Sequence, residues 1–199
     1  MRKLIAVGSV WWILTCVLPV CAQQIDVAIG GGSLTAPSPS RTFSGLNQSL
    51  SGGTYAGAGG DFLFKRHIGV GAEVFWRTQQ GLYNSQLPYR PIFWNFNAIY
   101  APRFKKHVAA EIVAGAGAET IREYGVVSHC DNYGNCSNYI NSTHFMGDVG
   151  GGFKLYPLRG LFVRPEVRVY LVRNNVEFNS SFAIRYGASI GYTLGGGGK

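Results

Sequence analysis

Between Leu161 and Asn174 the chain reads LFVRPEVRVYLVRN, with Val163, Pro165, Val167, Val169 and Leu171 on one parity and Arg164, Glu166, Arg168 and Tyr170 on the other. A period of two puts successive side chains on opposite faces of a strand. The stretch from Phe182 to Leu194 repeats the pattern: Phe182, Ile184, Tyr186, Ala188, Ile190, Tyr192 and Leu194 alternate with Ala183, Arg185, Gly187, Ser189, Gly191 and Thr193. Charges cannot enter a core without partners, yet the apolar face is as long as the charged one. A closed sheet whose outside meets hydrocarbon and whose inside is crowded and polar satisfies both faces.

Six further segments fit the same scheme. Ile25, Val27 and Ile29 alternate with Asp26, Ala28 and Gly30, and Gly52 to Phe64 is a second strand whose glycines blur its parity. Val70, Ala72, Val74 and Trp76 oppose Glu73 and Arg77, whereas Ile92, Trp94, Phe96, Ala98 and Tyr100 oppose Asn95 and Asn97. Val108 to Ala116 opposes Glu111, and Phe145 to Leu155 opposes Asp148 and Lys154. The all-β reading is therefore an eight-stranded antiparallel up-and-down transmembrane β-barrel.

Connection lengths sharpen this reading. Short turns at Lys65 to His67, Pro102 to Lys106 and Pro157 to Gly160 alternate with long loops at Ser33 to Ser51, Thr78 to Pro91, Ile121 to Ser142 and Asn174 to Ser181. Barrels of bacterial outer membranes segregate their connections in this way, with short periplasmic turns and longer external loops. A soluble secreted β-sandwich or lipocalin-like binder is the competing architecture, and it gives no reason for that segregation.

An apolar run from Leu4 to Val20 follows Arg2 and Lys3 and ends at Val20-Cys21-Ala22, the pattern of a secretory signal cut after Ala22. Residues 1–22 are thus expected to leave, and residues 23–199 to form the barrel domain. Cys130 and Cys136 remain, and in an exported chain they read as a disulfide pinning a polar loop. The formal net charge of +8 falls by two with Arg2 and Lys3. The remaining cations are scattered through turns and strand parities, with no recognition helix or basic block, which excludes a nucleic-acid role.

At eight strands the interior is just wide enough for side chains. The inward parity predicts a paired network of Glu73, Arg77, Glu111, Asp148, Lys154, Arg164, Glu166, Arg168 and Arg185, joined by Asp26, and no diffusion pore. Pro165 removes a ladder donor from a strand without a free edge, so a local irregularity or bulge is expected there. No metal or nucleotide motif is present, and neither a cofactor nor a metal is expected. His144 with Ser142, Ser128 or Asp131 is the one arrangement that would suit an outer-membrane lipid-modifying enzyme, and a polar loop histidine is the plainer account. Tyr133 and Tyr139, beside the cysteine pair, are the candidate residues for surface recognition.

These phrases resemble the small bacterial outer-membrane barrels grouped as OmpA-like or porin-family domains, over Gln24 to Leu194. The resemblance rests on Gly69-Val70-Gly71-Ala72-Glu73, Arg164-Pro165-Glu166-Val167-Arg168 and Tyr186-Gly187-Ala188-Ser189-Ile190-Gly191-Tyr192. It implies a monomer in the bacterial cell outer membrane, in contact with lipid and lipopolysaccharide, delivered by periplasmic chaperones and inserted by the barrel-assembly machinery. It does not imply one activity or one extracellular ligand. Such barrels commonly finish on an aromatic residue, whereas this sequence runs on past Leu194 to Gly195-Gly196-Gly197-Gly198-Lys199.

Overall fold

The computed structural model describes residues 24–36, 50–64, 67–83, 87–130, 134, 136–173 and 181–195. Within them run β1 (Gln24–Thr35), β2 (Tyr55–Phe64), β3 (Ile68–Arg77), β4 (Gly81–Tyr83), β5 (Leu87–Tyr100), β6 (Arg103–Lys105), β7 (Val108–Cys130), β8 (Cys136–Leu155), β9 (Leu161–Val172) and β10 (Phe182–Leu194). The three-residue strands β4 and β6 flank β5 and β7. The other eight make the wall, which closes because β5 pairs with β7 and β1 with β10.

The register fixes the shape. Starting at Ile25, the direct partners around the wall are Phe62, Val70, Ala98, Ala114, Val149, Val169 and Ile184, and the last of these faces Thr35. One circuit therefore returns to β1 ten residues from its start, at Thr35. That stagger tilts the strands by about 40° and gives a lumen that side chains fill.

Alternation decides which side chains enter it. Ile29, Phe96 and Phe145 point outward and keep 64%, 65% and 63% of their surface exposed. Val70, Ile112, Val149, Phe153, Val167, Leu171 and Ile190 are exposed on the same outer face. A contiguous apolar surface of this extent is stable only against hydrocarbon. Tyr100 and Tyr192 stand toward the end that carries the short turns, and Trp94, Phe145 and Tyr186 toward the opposite end, where aromatic rings suit the two interfaces.

Two expectations change, and a third, the irregularity at Pro165, takes a definite form. Ile121 to Ser142 is not a loop: β7 and β8 run through it and pair as far as Cys130 opposite Cys136. The register shifts once, between Tyr124 and His129. Polar cross-strand pairs hold this extension, with Thr120 Oγ1 and Thr143 Oγ1 3.2 Å apart and Arg122 Nε donating to Asn141 Oδ1 at 3.1 Å. A hairpin wet on both faces has a loop-like composition, so its strands were hidden. The expected loop from Thr78 to Pro91 likewise contains β4 and the start of β5. Pro88 and Pro91 lie beyond Ile92, the last residue of β5 paired with β3, where one side of the strand is free of that ladder. Pro165, finally, creates a gap without a bulge: pairing with β8 lapses between Glu166 and Val163 and resumes in the same register, while pairing with β10 is continuous.

Candidate functional site

The lumen is layered, and each layer is assembled from several strands. Nearest the turn end, Lys154 Nζ from β8 lies 2.7 Å from Asp26, 2.5 Å from Glu111 and 3.3 Å from Asp61. Arg164 of β9 shares two of these partners, at 2.7 Å from Glu111 and 3.3 Å from Asp61, and its Nε donates to Ser189 at 3.1 Å. Asp61 was not singled out by the sequence, because the glycines around it leave no apolar parity to read. Its position opposite Gly71, which lacks a side chain, makes the space it occupies.

One level up, Arg185 of β10 pairs with both Glu73 and Glu166, the latter at 2.6 Å. Arg168 holds Glu73 at 2.8 Å and Asp148 at 3.3 Å. With its carboxamide turned so that the nitrogen faces the carboxylate, as the surrounding donors and acceptors require, Asn97 bridges Asp148 and Arg168, its nitrogen 3.1 Å from both Asp148 oxygens and its oxygen 3.0 Å from Arg168 Nη1. Lys154, Arg164, Arg168 and Arg185 are all buried. Desolvating each ion costs several kcal/mol, which only such multiply bonded partners offset.

Arg77 stands apart from these pairs. It lies toward the loop end, where Nη1 donates to the Tyr89 hydroxyl at 3.0 Å and the guanidinium sits 5.7 Å from the ring.

Above the ions the lumen turns aromatic. Tyr55 stacks on Phe75 at 5.4 Å, Phe93 stacks on Tyr170 at 5.1 Å, and Tyr55 and Phe93 meet at 6.3 Å. Leu34, Ile121, Met146, Val172 and Ala183 continue this cluster. Leu50, which belongs to no strand, is folded into it and almost fully buried. A charged layer under an apolar one leaves no continuous wet path, so the barrel has no large open pore.

At the loop end β7 and β8 outrun their neighbours. Pairing of β5 with β7 ends at Glu123, and the hairpin continues alone to the disulfide between Cys130 and Cys136. The Arg122 guanidinium lies 4.3 Å from the Tyr139 ring on this hairpin. Tyr133, Asp131 and the expected leader fall outside the described residues. Ser142 Oγ is 3.1 Å from His144 Nε2, and Glu119 is opposite His144 in register. All three share the parity that faces the lumen, so this polar set is turned away from lipid. Among the described residues no three His, Cys, Asp or Glu side chains group as metal ligands.

A closed antiparallel wall of eight strands, an apolar belt with aromatic ends and a filled polar lumen define a small outer-membrane β-barrel. Solved structures agree on the fold. Neisserial surface protein A superposes with a TM-score of 0.59 at 11% identity, over 86% of this chain and 97% of that one. Ail, the attachment invasion locus protein of Yersinia pestis, gives 0.56 at 10% identity, over 86% and 98%. A major outer membrane protein from Thermus thermophilus gives 0.55 at 9% identity, over 86% and 99%. These are not specifically the OmpA-like or porin barrels that the sequence phrases resemble. No family model matches the chain, and no curated protein is similar to it in sequence. By the orientation rule for such barrels, the turn end is periplasmic and the loop end extracellular.

Proposed function

We propose that this barrel is a rigid platform that displays its extracellular hairpin for surface recognition or adhesion. The observation that carries this reading is the β7–β8 extension, a disulfide-closed ribbon standing beyond the last rung shared with β5. Building two strands past the membrane and tying their tip has no use in closing the wall, but it does hold side chains such as Tyr139 away from the lipid surface. The lumen's ion pairs stiffen the base on which the ribbon stands. The similarity to a barrel named for attachment supports the same reading.

The test compares cells displaying the intact protein with cells displaying one in which residues 124–139 are replaced by a two-residue turn. Host-cell or matrix binding is expected to fall to the background of barrel-free cells while heat-modifiable migration persists. Undiminished binding would defeat the proposal. Tyr133 and Tyr139 are the first side chains to replace singly, and fatty-acid release from phospholipid, absent on this reading, would favour the enzyme alternative.

The same proposal includes cleavage after Ala22, delivery by periplasmic chaperones, insertion by the barrel-assembly machinery, contact with lipopolysaccharide and a monomeric state. A mature mass beginning at Gln23 checks the first of these. Membership of the OmpA-like or porin-family group is the narrower reading of the sequence phrases.

A further inference from the structure

The periplasmic mouth of the barrel holds a cavity of about 820 Å³, lined by the turn from Arg103 to His107, the turn from Tyr156 to Gly160, and Tyr192 and Thr193 of β10. Its size is that of a small-ligand site. Arg103, Lys105, Lys106 and Arg159 all contribute to the lining, and no Asp or Glu does. The reason lies in the fold. Seven of the chain's 10 acidic side chains are at positions 26, 61, 73, 111, 119, 148 and 166, all on the inward parity of the wall, and Glu123 lies on β7 toward the loop end. Among the described residues no carboxylate pairs with the cations of this mouth.

The mouth is shaped as well as charged. Tyr156 of the lining packs on buried Phe162 with centroids 5.8 Å apart, and Phe162 in turn lies 5.2 Å from Lys154 Nζ of the ion network. Arg103 is held 5.0 Å over the Tyr156 ring, and the His107 ring Nδ1 donates to the Tyr156 carbonyl at 3.0 Å. The Thr193 hydroxyl, 9% exposed and in the lining, has no hydrogen-bond partner among the described residues. Two apolar side chains sit among the cations at the turn tips, Phe104 and Leu158, each 67% exposed. Tyr192 belongs at once to the cavity lining and to the outward apolar belt, so the cavity's rim reaches the membrane-facing side of the wall.

We infer that this mouth binds the phosphate-bearing headgroup of an anionic phospholipid from the periplasmic leaflet. Guanidinium and ammonium groups match phosphate oxygens, basic pockets at a membrane edge take anionic headgroups, and Phe104 and Leu158 lie beside the acyl region. A free anion would leave those apolar tips without a role, and an acidic protein segment would give no reason for a rim that reaches the membrane-facing side at Tyr192.

The test uses the full barrel in nanodiscs of phosphatidylcholine with a minor share of phosphatidylglycerol, extracted into mild detergent, with retained lipid read by native mass spectrometry. Retention of one phosphatidylglycerol over phosphatidylcholine is expected, weakening by about fivefold for each cation removed in Arg103→Ala, Lys105→Ala and Arg159→Ala. Arg122→Ala at the opposite end should retain the lipid as the parent does, and heat-modifiable migration confirms that each variant is folded. Should Lys105→Ala/Lys106→Ala prove the only folded variant, it carries the same expectation on its own. Equal retention in parent and variants would overturn the inference. So would displacement of the lipid by millimolar inorganic phosphate, which would assign a free anion, or tighter binding of a soluble acidic peptide than of the lipid, which would assign a protein partner.

Discussion

The Arg185 guanidinium lies 4.0 Å from the centroid of the Phe75 ring. Its edges hold Glu73 and Glu166, so the residue joins the ionic layer of the lumen to the aromatic one. Replacing it with methionine keeps the bulk against Phe75 and Tyr170 but leaves Glu73 to Arg168 alone and Glu166 to its longer contacts with Arg164 and Arg168. The expected loss is about 3 kcal/mol of stability, the low end for breaking a buried pair, because each carboxylate keeps another cation. Urea titration of the barrel in lipid vesicles measures it. Adding Glu73→Gln to Arg185→Met should recover part of the loss, and failure to recover any would show that Arg185 acts through packing alone.

Gly71 faces Asp61 directly across β2 and β3. A methyl group at this position would stand 2.5 Å from Asp61 Oδ1 and 2.8 Å from Ile99 Cδ1. Alanine normally favours a strand over glycine, but here it would push Asp61 away from Lys154 and Arg164. Gly71→Ala is therefore expected to destabilise, by about 1–3 kcal/mol as for other overpacked sites. A gain in stability by the same titration would contradict the lumen geometry.

Reduction of the Cys130–Cys136 bridge is a local event on this structure. The loop it closes is short, with a sequence separation of 6, and its contribution is about 2 kcal/mol on the chain-entropy account. Since the hairpin beyond Glu123 shares no rung with β5, that loss falls on the ribbon and leaves the wall intact. Thiol labelling should require prior reduction, and reduced protein should be cut faster near the tip by added protease. Heat-modifiable migration should not change. Loss of the folded band on reduction would mean that the hairpin supports the wall.

Liposomes containing the protein should not swell in sugars, because the stacked rings of Tyr55, Phe75, Phe93 and Tyr170 cross the lumen above the ion pairs. Removing one ring from each stack, with Phe75→Ala and Phe93→Ala together, should raise ion conductance in planar bilayers. A parent protein that passes sugars would refute the closed lumen.

How much of this was legible depends on whether a residue's role follows from parity. Arg164, Arg168 and Arg185 could be placed inside from alternation alone, because their strands have an apolar face to set the phase. Asp61 could not, since Gly57, Gly59 and Gly60 erase that phase. Leu50 could not either: it reaches the lumen from outside any strand, and a hydrophobic residue in a Ser- and Gly-rich stretch gives no period. Arg77 has the right parity but the wrong height, and height in a barrel is set by the stagger between strands, which no single strand encodes. The paired ribbon from Ile121 to Ser142 was misread because burial contrast, the signal behind period-two patterns, vanishes once both faces meet water.

The seam between Ile25 and Leu194 joins the first strand to the last. No intermediate length of nascent chain can therefore complete the ring, and every truncated form ends in two unsatisfied strand edges primed for aggregation. The whole polypeptide must be made and kept apart from its own kind before any of it is safe. The first and last strands then lie side by side, so a short peptide linking residues near Gln24 and Leu194, with new termini opened in an extracellular loop, should give a chain that folds to the same cylinder.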